Sequence, residues 1–184
     1  MPVTTIEWVN GKVRMIDQTK LPEKLVYLEI DEVEELGEAI KSLRVRGAPA
    51  IGIAGAFGII LGLQNFQTEK KAEFFKKLTQ VCDYLNATRP TAVNLSWAIK
   101  RMKIVAEQSA GKSVAEIKER LLNEALAIWE EDRKICRRIG KHGSELIKDG
   151  FTILTHCNTG ALATADFGTA LGVVFAAHKQ GKKV

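Results

Sequence analysis

Phe151-Thr152-Ile153-Leu154-Thr155, followed at once by His156-Cys157-Asn158-Thr159-Gly160, is the stretch on which the fold turns. A short β-rich apolar run that ends in small polar residues is how an open α/β sheet presents a site at the carboxyl end of a strand. Downstream lie one amphipathic stretch, Thr169 to Gln180, and then Gly181-Lys182-Lys183-Val184, which reads as a helix stop and the first residue of a second strand. That is too little sequence to complete a parallel sheet, so the chain reads as the front part of a longer protein. The predicted class is α/β, and the segment 145–184 is its first βα unit.

Working upstream, the pattern changes from strands to helices. Thr5-Ile6-Glu7-Trp8 and Lys12-Val13-Arg14-Met15-Ile16 flank Asn10-Gly11, the dipeptide favoured in type I′ hairpins because both central residues need positive φ. Leu25 to Ile30 adds a third β-like run, giving an antiparallel meander over 1–30. Asp31 and Glu34 have capping-box spacing and open a helix to about Arg44, with Val33, Leu36, Ile40 and Leu43 on one face. Thr68 is placed to cap a helix carrying Phe74, Phe75, Leu78, Val81 and Leu85, which the segment Asn86 to Thr91 breaks because a residue before proline avoids the α region. Asn94 to about Ser109 is helical by spacing. Ser113 and Glu116 form a second capping box before a long amphipathic helix that Gly140 and Gly143 are expected to end. The helical bundle therefore covers 31–144, and the N-terminal domain covers 1–144.

Composition narrows the function. With 46% hydrophobic and 27% charged residues, the 184-residue chain has the make-up of a soluble globular protein with one sizeable core or two small ones. The net charge of +5 comes from 27 basic and 22 acidic residues interleaved on helical stretches. No basic stripe carries exposed aromatics, which argues against a nucleic-acid partner and leaves an anionic small molecule as the better match. Cys82, Cys136 and Cys157 are an odd set without paired spacing, so a reducing, cytoplasmic setting is expected. No basic and apolar leader pattern stands at the start. The longest apolar run, Ala48 to Leu63, is sixteen residues and glycine-rich, which points to a buried helix and not a membrane span. No two of Cys82, Cys136, Cys157, His142, His156 and His178 have metal-ligand spacing, so no metal is expected.

Two places carry chemistry. In Arg46-Gly47-Ala48-Pro49, proline near the first helical position, free backbone N–H groups and an arginine make an anion site at a helix amino end, or else a tight bend beside a surface charge. Cys157 at a strand end would face the N–H groups of a glycine-containing turn, which activate a thiol and stabilise an oxyanion; the alternative is a buried, inert cysteine. His156 is a poor partner for it, because successive strand side chains point to opposite faces. Arg89-Pro90-Thr91 sets an arginine in an interhelical break. Gly52, Gly55, Gly58 and Gly62 follow no strand, so they serve close helix packing and not a nucleotide loop. Gly111-Lys112-Ser113 lacks the upstream glycine of a P-loop, that position being Ala106. Asp166 reads as a cap or loop acid more readily than as a catalyst.

Three separated motifs resemble one family: Leu43 to Gly52 with its Arg46-Gly47-Ala48-Pro49 core, Thr88-Arg89-Pro90-Thr91-Ala92-Val93-Asn94-Leu95, and Thr155-His156-Cys157-Asn158-Thr159-Gly160 with Gly168-Thr169-Ala170-Leu171-Gly172. They are similar, in the same order and over nearly the whole chain, to the methylthioribose-1-phosphate isomerase family of methionine salvage, relatives of initiation factor 2B regulatory subunits and of ribose-1,5-bisphosphate isomerase. The resemblance implies that Arg46, Gly47, Ala48 and Arg89 bind a sugar phosphate and that Cys157 is the active-site cysteine. It also implies a Rossmann-like continuation beyond Val184 that carries the catalytic aspartate, a homodimer when complete, and no cofactor, metal or membrane. The alternatives are a regulatory subunit on the same scaffold and an isomerase of ribose 1,5-bisphosphate.

Overall fold

A computed structural model describes residues 3–184. The chain opens with the expected meander: β1 (Ile6–Val9), β2 (Lys12–Ile16) and β3 (Tyr27–Ile30) form an antiparallel sheet in that order, with Ile6 opposite Met15 and Val13 opposite Ile30. Asn10 and Gly11 have φ of 51° and 80°, the two positive values that a type I′ turn requires. Ile6, Val13, Met15 and Ile30 put one face of the sheet into the core.

Helix α1 (Val33–Lys41) buries Val33, Leu36 and Ile40, but its start and end differ from the sequence reading. Glu32 is the N-cap, its carbonyl accepting the Leu36 N–H at 3.2 Å, while the Asp31 carboxylate pairs with Lys12 at 2.9 Å. Leu43 leaves the helix with φ of 64° and is exposed. Helix α2 (Ala48–Gln64) is the axis of the molecule: thirteen of its seventeen residues are buried, so it is apolar all round, as a central helix must be. Its glycines are contact points. A Cβ on Gly55 would lie 2.4 Å from Leu95, and one on Gly62 would lie 2.7 Å from Val81.

Helices α3 (Lys71–Thr88) and α4 (Val93–Gln108) pack against α2. Lys70, not Thr68, is the N-cap of α3; Thr68 turns the chain ahead of it by accepting from the Lys70 N–H and donating to Glu73. Both arms of the Ser113–Glu116 capping box form at the start of α5 (Val114–Leu146). Gly140 and Gly143 do not end α5. They are the surface on which α6 (Ala170–Lys179) lies, where added Cβ atoms would meet Phe167 at 2.8 Å and Val173 at 2.4 Å.

The expected strand over 151–155 is not formed. That segment pairs with no strand and is largely exposed, Leu154 at 98%. A β-run is stable only when a neighbouring strand takes its N–H and C=O groups, and no strand lies beside it among the described residues. Nearby, Gly150 N–H donates to the Lys183 carbonyl at 2.8 Å, which brings the two ends of the last unit together. Among the described residues no helix is long and apolar enough to cross a membrane.

Candidate active site

The loop from Gly160 to Thr169 is locked between the meander and the helices. Thr5 donates through N–H to the Ala165 carbonyl at 2.8 Å and through its hydroxyl to the Ala161 carbonyl at 2.7 Å. The Gln18 side-chain amide donates to the Leu162 carbonyl at 2.7 Å. From α5, the Asp132 carboxylate accepts the Ala165 N–H at 2.7 Å, and the Trp129 indole reaches the Ile6 carbonyl. Asp166 closes the lock: Arg133 donates to it at 2.8 Å and Arg137 grips both its oxygens at 2.9 Å. Burial pushes the Asp166 carboxyl up, yet the two guanidinium groups outweigh burial and hold it below the usual carboxylate range. Asp166 is therefore a structural anchor. Asp132, next to it, is pushed up by burial and by the Asp166 charge.

This loop comes down on the amino end of α2. Gly47 is the N-cap of that helix with φ of 100°, and a side chain there would strike Ala163, whose Cα lies 2.3 Å from the ideal Cβ position. Glycine is thus required twice, by conformation and by contact. The first intrahelical bond is Ile51 N–H to the Gly47 carbonyl, so the N–H groups of Gly47, Ala48 and Ala50 are left unpaired by the helix.

A cleft of about 720 Å³ opens between these parts. Arg46, Gly47, Ala48 and Pro49 form one wall, Arg89 a second, Cys157 and Asn158 a third, and Leu43, Ala163, Thr164 and Thr169 complete it. All five residues singled out in the sequence, Arg46, Gly47, Ala48, Arg89 and Cys157, line this one cleft. The lining holds two arginines and no carboxylate. The amino end of α2 and Thr169, the N-cap of α6, both line the cleft, and helix amino ends favour negative charge. Arg44, two residues from Arg46, is committed elsewhere, to Asp17 and Glu38 at 3.0 Å each, whereas Arg46 and Arg89 form no ion pair among the described residues.

Cys157 stands apart from the other thiols. Cys82 and Cys136 are buried, and burial pushes their thiols up to about 12 and about 11. Cys157 is exposed and has φ of 65°, a left-handed conformation that side-chain-bearing residues seldom adopt. Behind it, Gly160 N–H donates to Asn158 Oδ1 at 3.3 Å, and Gly168 N–H donates to Thr164 Oγ1 at 3.0 Å. His156 is exposed and does not line the cleft. Sequence reasoning missed Leu43, Asn158, Ala163, Thr164 and Thr169 as wall residues. The Asx-type turn at Asn158 had a local signal in Asn-Thr-Gly, while the other four reach the cleft only through tertiary contacts.

Residues 44–184 match the Initiation factor 2 subunit family. The chain is 53% identical over its whole length to the methylthioribose-1-phosphate isomerase of Geotalea uraniireducens and 47% identical over 97% of its length to that of Acetivibrio thermocellus. It spans about half the length of these relatives, 53% and 52%. Among solved structures it resembles the 5-methylthioribose 1-phosphate isomerase of Pyrococcus horikoshii, with a TM-score of 0.93 at 42% identity, covering all of this chain and 51% of the other. It also resembles the delta subunit of translation initiation factor eIF-2B from A. fulgidus, with a TM-score of 0.87 at 49% identity, covering 98% of this chain and 52% of that one.

Proposed function

The chain belongs to the Initiation factor 2 subunit family, and from that premise we propose that it forms the phosphate-gripping part of an enzyme converting 5-methylthioribose 1-phosphate to 5-methylthioribulose 1-phosphate. The observation that carries this reading is the single cleft in which Arg46, Arg89 and the unpaired N–H groups at the start of α2 converge beside Cys157, with no carboxylate in the lining. Cations and amide dipoles at a helix amino end are suited to a phosphate dianion.

The chemistry assigns each part a task. A sugar phosphorylated at its anomeric carbon cannot open freely to an aldehyde, so an isomerase must assist ring opening and then move hydrogen between C2 and C1. Arg46, Gly47, Ala48 and Arg89 fix the phosphate and with it the sugar's reacting carbons. The Cys157 thiol stands in the same cleft, positioned to stabilise charge on the opened sugar oxygen or to carry a proton. Ring opening also calls for a general acid, which this reading assigns to an aspartate in the part of the enzyme beyond these residues. We further propose a division near 144 between the helical bundle and a Rossmann-like domain, with the complete enzyme a cytoplasmic homodimer. The three cysteines are all free, which suits a reducing compartment.

The A. fulgidus neighbour favours one second reading, a regulatory subunit that senses a phosphorylated metabolite in the same cleft. Supplying the full-length protein with 5-methylthioribose 1-phosphate and following ketose formation separates the two. Turnover supports the isomerase; tight binding of the sugar phosphate without ketose supports the sensor and rejects the isomerase. Ribose 1,5-bisphosphate, run in parallel, tests the third substrate class by its product.

A further inference from the structure

A second cavity lies at the far end of α2, about 25 Å along the helix at 1.5 Å per residue from the cleft. Its volume is about 440 Å³, within the range of small-molecule sites. Trp8, Ile60, Leu63, Leu121 and Leu122 give it an apolar wall. The Trp8 ring is held against Phe57, 5.6 Å between centroids, so this wall is preformed.

One cation stands in that wall. The Lys118 ammonium donates to the Gln64 carbonyl at 3.3 Å and to the Phe66 carbonyl at 2.6 Å, where α2 ends. Burial lowers its pKa, and among the described residues no carboxylate pairs with it. Glu119 also lines the cavity but is exposed to water, where its charge is screened. The ammonium is partly shielded from water and is met by two carbonyls but, among the described residues, by no paired carboxylate, so an anion entering the cavity would gain a charged partner.

We propose that this cavity binds a small amphipathic anion, an alkyl or aryl carboxylate whose apolar body lies against Trp8, Leu63 and Leu122 and whose carboxylate meets Lys118. The site is independent of the sugar-phosphate cleft and of the isomerase reading.

Octanoate is the probe and octanol its uncharged counterpart, titrated by calorimetry below the concentration at which octanoate forms micelles. Saturable binding of one octanoate per chain is expected, undisturbed by saturating inorganic phosphate. Filling the cavity with Leu122→Trp should abolish it. Lys118→Met should weaken octanoate by at least about tenfold, the scale of one charged hydrogen bond, and leave octanol unchanged. Should Lys118→Met fail to fold, octanoate against octanol on the native protein tests the charge. The proposal is overturned by absence of saturable binding, by octanoate binding that survives Leu122→Trp, or by octanol binding as tightly as octanoate.

Discussion

At Gly47 a methyl group would lie 2.3 Å from the Cα of Ala163 and would have to adopt φ of 100°. Gly47→Ala is therefore expected to destabilise by at least about 2 kcal/mol, the sum of left-handed strain and a backbone clash, and to lower the melting temperature measurably. The same substitution should weaken phosphate binding, since the displaced contact is the wall of the cleft. Arg89 and Cys157 test the site without touching the core, because both are at least partly exposed. In the full-length enzyme, Arg89→Ala and Cys157→Ser should each lower kcat/KM by at least about tenfold, the scale of one lost transition-state contact. Unchanged kinetics in both variants would remove these residues from the site. At this scale the sequence was informative where chemistry and local geometry coincide. Arg46-Gly47-Ala48-Pro49 could be read from glycine, proline and a cation in four adjacent residues. Leu43 and Thr164 could not, because nothing local marks a residue that reaches a cleft through a loop folded back over 100 positions.

Helix α5, at Gly143, and the turn ahead of it, at Gly111, offer two contrasting effects at this scale. Alanine normally favours an exposed helix over glycine by about 1 kcal/mol. At Gly143 the sign should reverse, since the new Cβ would meet Val173 at 2.4 Å and push α6 away. Gly143→Ala should lower the melting temperature, while Gly111→Ala, with nothing within 4 Å, should leave it nearly unchanged. A fall of equal size in both would contradict close α5–α6 packing. The Asp166 clamp joins the loop to the same helix. Because its carboxyl is held below the ordinary 3.8, the stabilisation is present above that pH and is lost as pH falls through the depressed value. Asp166→Asn should thus lower stability by about 2 kcal/mol at pH 7, the worth of a charged hydrogen-bond network, with the difference from wild type shrinking in acid. Thermal melts at pH 7 and below 3.8 measure this. Local signals located the Asn10-Gly11 turn and the Ser113–Glu116 box, whose partners are at most three residues apart. They failed at Gly140 and Gly143, where the same residue type that ends isolated helices serves as a packing surface for α6. Asp31 misled because its spacing to Glu34 fits a capping box one residue too early: the helix starts after Glu32, and the Asp31 carboxylate pairs with Lys12 on the hairpin.

Across the whole molecule, α2 is the organising element. Its apolar body gathers the meander and helices α1, α3, α4 and α5, which leaves its amino end facing a loop tied down by Thr5, Gln18 and Asp132. The fold thus brings residues 46, 89 and 157 to one cleft although their spacing along the chain gives no distance between them. The run 151–155 marks the limit of sequence reading at this scale, since its strand character depends on a partner strand and not on its own residues. The most direct measurement is a crystal structure of the full-length protein with 5-methylthioribose 1-phosphate. The phosphate should lie within hydrogen-bonding distance of the Arg46 or Arg89 guanidinium and of the Gly47 or Ala48 N–H, with the sugar against Cys157. A phosphate seated elsewhere, with the cleft of Arg46, Arg89 and Cys157 empty, would contradict the account.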